Sequence, residues 1–381
     1  MTSTPGFRAS GVACGLKPSG ALDLGILIGD GPVVSGLVDT ANALPSAPVQ
    51  YNRGLDRSGI RAVVVNAGSA NAATGSPGLA DARAMATRTA AALGVAAGEV
   101  AVCSTGTIGD RIDRDMVGGG IDAAAAALAT DGGADFGRAI CTTDRAPKGG
   151  AFRVPIGDRV VTVGAAAKGA GMIRPDMATM LAYVTTDAPV DPADLQSMTA
   201  RAAASSFNRI SVDGQMSPSD TLLVMAGGSG PVLVGPELAE LGVAMAAVCR
   251  WLAIQMVKDG EGSEHVVRVV VLGARDPGEA ERVARAVGES ALVKTAIFGR
   301  DPNWGRISQA VGQALAGAEG TVREPAVTVD GVAFDSPAAA EVLAREEYDL
   351  EVSLDRGRAS TELWASDLGH GYVTINAEYH T

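Results

Sequence analysis

A chain of 381 residues, 47% apolar and 19% charged, is long enough to bury one to three cores. Its formal net charge of −12 argues against an extended nucleic-acid surface, which needs clustered Lys and Arg, but leaves room for a local cationic pocket that takes a small carboxylate. No run reaches the roughly 18 apolar residues of a membrane helix and no cationic–apolar leader opens the chain, so cytoplasmic residence without membrane partners is expected.

Glycine-punctuated apolar runs at 22–35 and 60–66 read as buried strands, the second running into the small-residue loop AGSANAATGSPG. A helix follows at 80–94. A strand at 98–104 then leads to the loop TGTIGD, and a helix at 121–129 precedes strands at 151–155 and 158–165. Further on, the pattern predicts helices near 192–205, 237–257 and 277–288, with strands at 221–226 and 265–272. The helix at 237–257 is apolar almost all round, which suits burial between layers. Residues 273–276 read as a junction, dividing a main layered α/β domain (1–275) from a smaller C-terminal α/β domain (276–381). The latter has strands at 321–325, 327–332 and 348–353 and a strand-like end, YVTINAEYHT.

Cys14, Cys103, Cys141 and Cys249 are scattered, with no CxxC, and read as reduced thiols. His265, His370 and His380 have no metal-ligand spacing, and neither a dinucleotide fingerprint nor a phosphate loop occurs. No metal or cofactor is therefore expected.

The segment KGAGMIRPDMATMLAYVTTD, 168–187, is the most informative. By composition and periodicity alone, Thr179 is a core-facing threonine, Lys168 a solvated lysine and STG a turn. However, the segment is similar to the KGxGMIxPxMATML signature of the ArgJ family, the glutamate N-acetyltransferases or ornithine acetyltransferases. Further blocks resemble that family in the same order: VVVNAGSANAATG at 63–75, CSTGTIG at 103–109, TTD at 142–144, DGEG at 259–262, LVKTAIFGRDPNWGRI at 292–307 and YVTINAEYHT at 372–381.

The resemblance implies a layered α-β-β-α sandwich of the self-cleaving ArgJ/DmpA-like type. It also implies autocatalytic cleavage between Ala178 and Thr179, giving an α chain of 1–178 and a β chain of 179–381 that assemble as an oligomer of αβ heterodimers. Threonine suits both steps: its hydroxyl can attack the preceding carbonyl, and the α-amine released, with a reference pKa of about 8, can take the hydroxyl proton in a later acyl transfer. The implied reaction is ping-pong. Acetyl moves from N2-acetyl-L-ornithine to Thr179 and then to L-glutamate, with acetyl-CoA a possible co-substrate.

Carried over residue by residue, Thr105 and Gly106 would stabilise the oxyanion, and Lys168 would pair with a substrate carboxylate. Thr142 (or its neighbour Thr143), Thr179, Glu261, Asn376 and Thr381 would bind substrate, the tail folding back over the site. The family's VDGDTSTND block reads VDGQMSPSD here, with Gln215, Met216, Pro218 and Ser219 departing while Ser217 and Asp220 remain. Ser69 and His265 replace a usual Asn and Lys. The altered 215–219 segment keeps open a related acyltransferase of specialised metabolism with another acceptor, and the resemblance to the self-cleaving aminopeptidases of this fold keeps open a related amidohydrolase.

Overall fold

The structure is a computed structural model that describes residues 1–174 and 180–378. Its strands are β1 (Phe7–Val12), β2 (Leu24–Gly29), β3 (Val34–Asp39), β4 (Ala62–Ser69), β5 (Val100–Thr107), β6 (Lys148–Ile156), β7 (Arg159–Lys168), β8 (Leu181–Thr186), β9 (Ile210–Ser211), β10 (Thr221–Ala226), β11 (Val266–Ala274), β12 (Ala326–Val329), β13 (Val332–Ala333), β14 (Glu347–Ser353) and β15 (Ala359–Ser366). Its helices are α1 (Ala47–Asn52), α2 (Gly75–Leu93), α3 (Arg114–Ala126), α4 (Gly133–Ala139), α5 (Pro192–Ser205), α6 (Gly235–Lys258), α7 (Pro277–Gly288), α8 (Ala291–Phe298), α9 (Trp304–Ala314), α10 (Ala339–Leu343) and α11 (His370–Glu378).

The strands form three sheets, ordered β1-β2-β4-β5, β3-β10-β8-β7-β6 and β13-β12-β14-β11-β15-β9. Alternation of side chains along each strand sets the layers. In the first sheet Leu24, Ile26, Val64 and Val102 pack on Met85 and Ala86 of α2 and Val117 and Ile121 of α3. Their neighbours Leu27, Val63, Val65 and Cys103 face the other way, onto Leu181, Tyr183, Leu223 and Met225 of the second sheet. The second sheet's far face, with Ala182, Val184, Leu222 and Val224, packs on α5 and α6. The order is thus helix, sheet, sheet, helix, the α-β-β-α sandwich expected from the sequence.

The layer between the two sheets, filled mostly by Leu, Val, Ile and Met, holds an aromatic pair, Phe136 edge-on to Tyr183 at 5.2 Å. Truncating either ring there would cost roughly 3–5 kcal/mol. Helix α6 is long and apolar enough to cross a membrane, but Leu241, Met245, Cys249, Leu252 and Met256 are buried in the core against the second sheet. Its other face is open, with Val243 71% exposed, so α6 is an outer-layer helix and not the one buried between layers that its composition suggested.

Four further details differ from the sequence reading. Helix α3 starts at Arg114 because the Asp113 carboxylate caps the N–H groups of Asp115 and Met116, both at 3.0 Å. Residues 321–325 form no strand; Arg356 ties the Thr321 carbonyl instead, and β12 begins after Pro325, which has no N–H to give a ladder. The end is helical, not extended. β-branched Val373, Thr374 and Ile375 suggested a strand, but no sheet edge meets them, and the Thr374 hydroxyl and Asn376 amide instead bond carbonyls one turn back. Lastly, β11 precedes the expected 275/276 junction yet lies between β14 and β15 at the centre of the third sheet. Its valines share a core with α7, α9 and α10.

Candidate active site

The candidate residues meet where β5 of the first sheet and β7 of the second end side by side. One small cavity is lined by Thr105, Gly106, Thr142, Thr143, Lys168, Glu261 and Asn376, along with Gly171, Met172 and the segment Ser217–Ser219. Thr105 and Lys168 are the last buried residues of their strands, 6% and 2% exposed. The Lys168 ammonium donates to the Thr105 hydroxyl at 3.2 Å across the gap between sheets. That leaves the hydroxyl's own proton free to be donated into the cavity.

Gly106 is required by its surroundings. Its φ is +126°, and a Cβ there would collide with the backbone of Gly68, its partner in the parallel β4–β5 pair. Lys168 pairs in turn with Leu181, the first residue of β8. The strand that begins two residues after Thr179 therefore starts beside the lysine.

A buried charge network holds these segments. Asp144, its side chain fully buried, accepts from Lys148 Nζ at 2.6 Å, from the Gly169 N–H at 2.7 Å and from the Thr142 N–H at 3.0 Å. Burial alone would raise its pKa, but the charges of Lys168 and Lys148 and these hydrogen bonds outweigh burial and hold it at about 2. Lys148 also pairs with Asp259 at 2.6 Å, and Asp259 begins the loop that carries Glu261. One carboxylate and one lysine thus tie together the loop of Thr142, the end of β7 and the loop of Glu261.

The tail closes the cavity. Asn376 Nδ2 of α11 donates to Glu261 Oε2 at 2.8 Å. Tyr372 donates its hydroxyl to Asp213 at 3.3 Å, and Asp213 also accepts from the N–H groups of Met172 (2.6 Å) and Ile173 (2.9 Å). Asp213 therefore links α11 to the segment that runs toward Thr179, and burial pushes its pKa upward.

Of the residues singled out in the sequence, Thr105, Gly106, Thr142, Lys168, Glu261 and Asn376 converge, and Thr143 lines the cavity beside Thr142. Ala178, Thr179 and Thr381 lie outside the described residues. Asp144 and Lys148 escaped the sequence reading. Their four-residue spacing directly after TT was a signal, but only the fold reveals that Asp259 joins them.

The departures from the ArgJ pattern also find places. Gln215, Met216 and Pro218 line a wider cleft that opens beside the cavity, with Leu44, Pro45 and Ile108 on its other side. Ser69 accepts from the Asn71 N–H and donates to the Asp110 carbonyl, holding the loop after β4. His265 is buried with its Nδ1 2.9 Å from Asp367, so it faces a carboxylate in the interior rather than the cavity.

Two sheets face to face between helix layers, with a lysine-containing polar pocket at their strand ends, define a self-contained α-β-β-α class. The ArgJ family profile matches residues 8–381, and the chain belongs to the ArgJ family. It is similar to the arginine biosynthesis bifunctional protein ArgJ of Symbiobacterium thermophilum, 43% identical over 100% of this chain and 98% of that one. It is likewise similar to that of Geobacter sulfurreducens, 43% identical over 99% of both chains. Among solved structures, a chain of ornithine acetyltransferase complexed with ornithine from Mycobacterium tuberculosis is 43% identical, covering 46% of this chain and 93% of that chain with a TM-score of 0.43.

Proposed function

We propose that this protein is a cytoplasmic acyltransferase of arginine biosynthesis that cleaves itself before Thr179. It then carries acetyl on that threonine from N2-acetyl-L-ornithine to L-glutamate. The observation that carries the reading is the Lys168–Thr105 hydrogen bond between the two sheets. It places a cation and a polarised hydroxyl in one buried cavity, next to the start of the strand that follows Thr179.

In self-cleavage the Thr179 hydroxyl oxygen bonds the Ala178 carbonyl carbon as the Ala178–Thr179 C–N bond breaks. The hydroxyl proton passes to the departing amine, and water hydrolyses the resulting ester. In transfer, the same oxygen attacks the acetyl carbonyl of the donor while the new α-amine takes its proton. Each tetrahedral intermediate carries an oxyanion, for which the Thr105 hydroxyl and the backbone at Gly106 are the donors. Removing one such donor typically costs about 2.7–4 kcal/mol of barrier. The amide bond of N-acetylornithine breaks, ornithine leaves with the proton, and glutamate reverses the sequence.

In this reading Lys168 takes the substrate's α-carboxylate and Glu261 an ammonium, and the hydrogen bond from Asn376 to Glu261 supports the latter by orienting the carboxylate. Thr142 and Thr381 complete the binding set. Transfer between two amines is nearly balanced in energy and needs no cofactor, provided that water is kept from the ester. The low exposure of Thr105, Lys168 and Glu261 suits that demand. Acetyl-CoA as an additional donor belongs to the same reading.

The test is to incubate the purified protein with N-acetylornithine, with and without glutamate and with no acetyl-CoA. Stoichiometric ornithine and N-acetylglutamate, dependent on glutamate and lost in Thr179→Ala, are expected. Free acetate released at the same rate without glutamate would indicate a hydrolase and overturn the transferase reading.

A further inference from the structure

Asp220, one residue before β10, is fully buried, with both carboxylate oxygens inside the protein. Oδ1 accepts from the Met180 N–H at 2.6 Å, while Oδ2 has no hydrogen-bond partner among the described residues. A second bond closes the pair, since the Thr221 N–H donates to the Met180 carbonyl at 3.0 Å. Met180 is thus gripped on both its backbone groups by two consecutive residues at the head of β10. The parallel β8–β10 ladder continues from there, starting at Leu181 and Thr221.

Asp220 is itself held from behind. Its carbonyl accepts from the Thr40 N–H at 3.1 Å, the Thr40 hydroxyl bonds the Ser217 carbonyl at 2.7 Å, and the Ser46 N–H bonds the Pro218 carbonyl at 2.8 Å. The whole 216–220 segment is thereby fastened to the 40–46 loop.

We infer that Asp220 is a positioning residue for the proposed nucleophile: its carboxyl anchors the backbone N–H of Met180, the residue that follows Thr179. The inference deepens the proposed function and rests on its reading of Thr179. Burial pushes its pKa well up, against the Met180 hydrogen bond, the charge of Lys168 and a hydrogen bond with Thr40. What the geometry asks of the group is an acceptor oxygen for the Met180 N–H, and a side-chain amide can offer the same oxygen.

The test uses the full chain with Asp220→Asn and Asp220→Ala. Asp220→Asn keeps an acceptor for the Met180 N–H and should cleave itself and turn over within about threefold of wild type. Asp220→Ala should slow self-cleavage and lower kcat at least tenfold, with KM for N-acetylornithine within twofold, because the substrate contacts are untouched. Hydrogen exchange of the Met180 amide should be protected in wild type and in Asp220→Asn, and fast in Asp220→Ala.

If Asp220→Asn is as impaired as Asp220→Ala, the carboxyl moves a proton and the positioning role is overturned, a result that stands even should the alanine variant fail to fold. Unaltered kcat and cleavage in Asp220→Ala, or a Met180 amide that exchanges quickly in wild type, also overturns it. A wild-type chain that stays whole while its Met180 amide is protected would instead sink the reading of Thr179 and leave the clamp standing.

Discussion

Lys168 and Thr105 act as a unit because neither is solvated and each supplies what the other lacks. The ammonium has donors to spare, and the hydroxyl needs an acceptor role filled before its proton can be aimed. Thr105→Val removes the donor while keeping the shape, so kcat for acetyl transfer should fall about 100- to 1000-fold with little change in substrate affinity, as steady-state kinetics would show. Lys168→Met should raise KM for N-acetylornithine, since it removes the proposed partner of the carboxylate, and also lower kcat, since it releases the Thr105 hydroxyl; an unchanged KM would remove the lysine from the binding set. Only part of this was legible beforehand. The motif match named both residues and Gly106, but their hydrogen bond joins positions 63 apart in sequence, on strands of different sheets. Asp144 and Lys148 were missed for the same reason, because their third partner, Asp259, is 111 residues beyond Lys148.

Among the elements, α11 carries Asn376 to Glu261, and its seat depends on Gly262. That glycine has φ +65°, and a Cβ on it would collide with the backbone of Gly371 and Tyr372. Gly262→Ala should therefore displace the tail and depress activity strongly while the thermal midpoint moves by only a few degrees, because no core residue is touched. The sequence reading anticipated that the tail returns to the site but assigned it as extended, since β-branched residues favour strands only where a sheet edge awaits them.

Helix α8 holds a second buried device, Lys294, whose ammonium donates to the Ser366 carbonyl and, at 3.2 Å, to the Ser366 hydroxyl at the end of β15. Burial lowers its pKa to about 8 from 10.5, against the opposing pull of Asp367, Asp213 and Glu289. The unfolded chain therefore holds this proton between about pH 8 and 10.5 after the folded chain has released it. Lys294's contribution to stability accordingly rises with pH through that window. Urea midpoints measured from pH 7.5 to 10.5 should climb more in wild type than in Lys294→Met; equal slopes would show that Lys294 keeps its proton when buried.

At the scale of the whole molecule, the second sheet explains how a chain cut before Thr179 can stay one protein. Its order, β3-β10-β8-β7-β6, sets β8 and β10 of the proposed β chain between β3 and β7 of the proposed α chain. Each of the two junctions is a ladder of six residue pairs. The first sheet lies wholly before the cut and the third wholly after it, so the shared sheet and the layer of Tyr183, Phe136 and Leu223 beneath it bind the halves. The two fragments should co-elute without denaturant and unfold in a single transition; separation in native buffer would contradict the interleaved sheet.

Many strands and helices were legible locally, as apolar runs and alanine-rich stretches, but their α-β-β-α layering came from the resemblance to the ArgJ family. The place of β11 in the third sheet was not legible, because it pairs with strands about 80–100 residues later in the chain.

The proposed acyl transfer depends on the chain being opened between Ala178 and Thr179. The direct measurement is intact mass together with N-terminal sequencing of the purified protein and of Thr179→Ala. Two fragments, one beginning Thr-Met-Leu-Ala-Tyr-Val, are expected from wild type, and a single chain from the variant. A single uncut wild-type chain that still transfers acetyl from N-acetylornithine to glutamate would contradict the account.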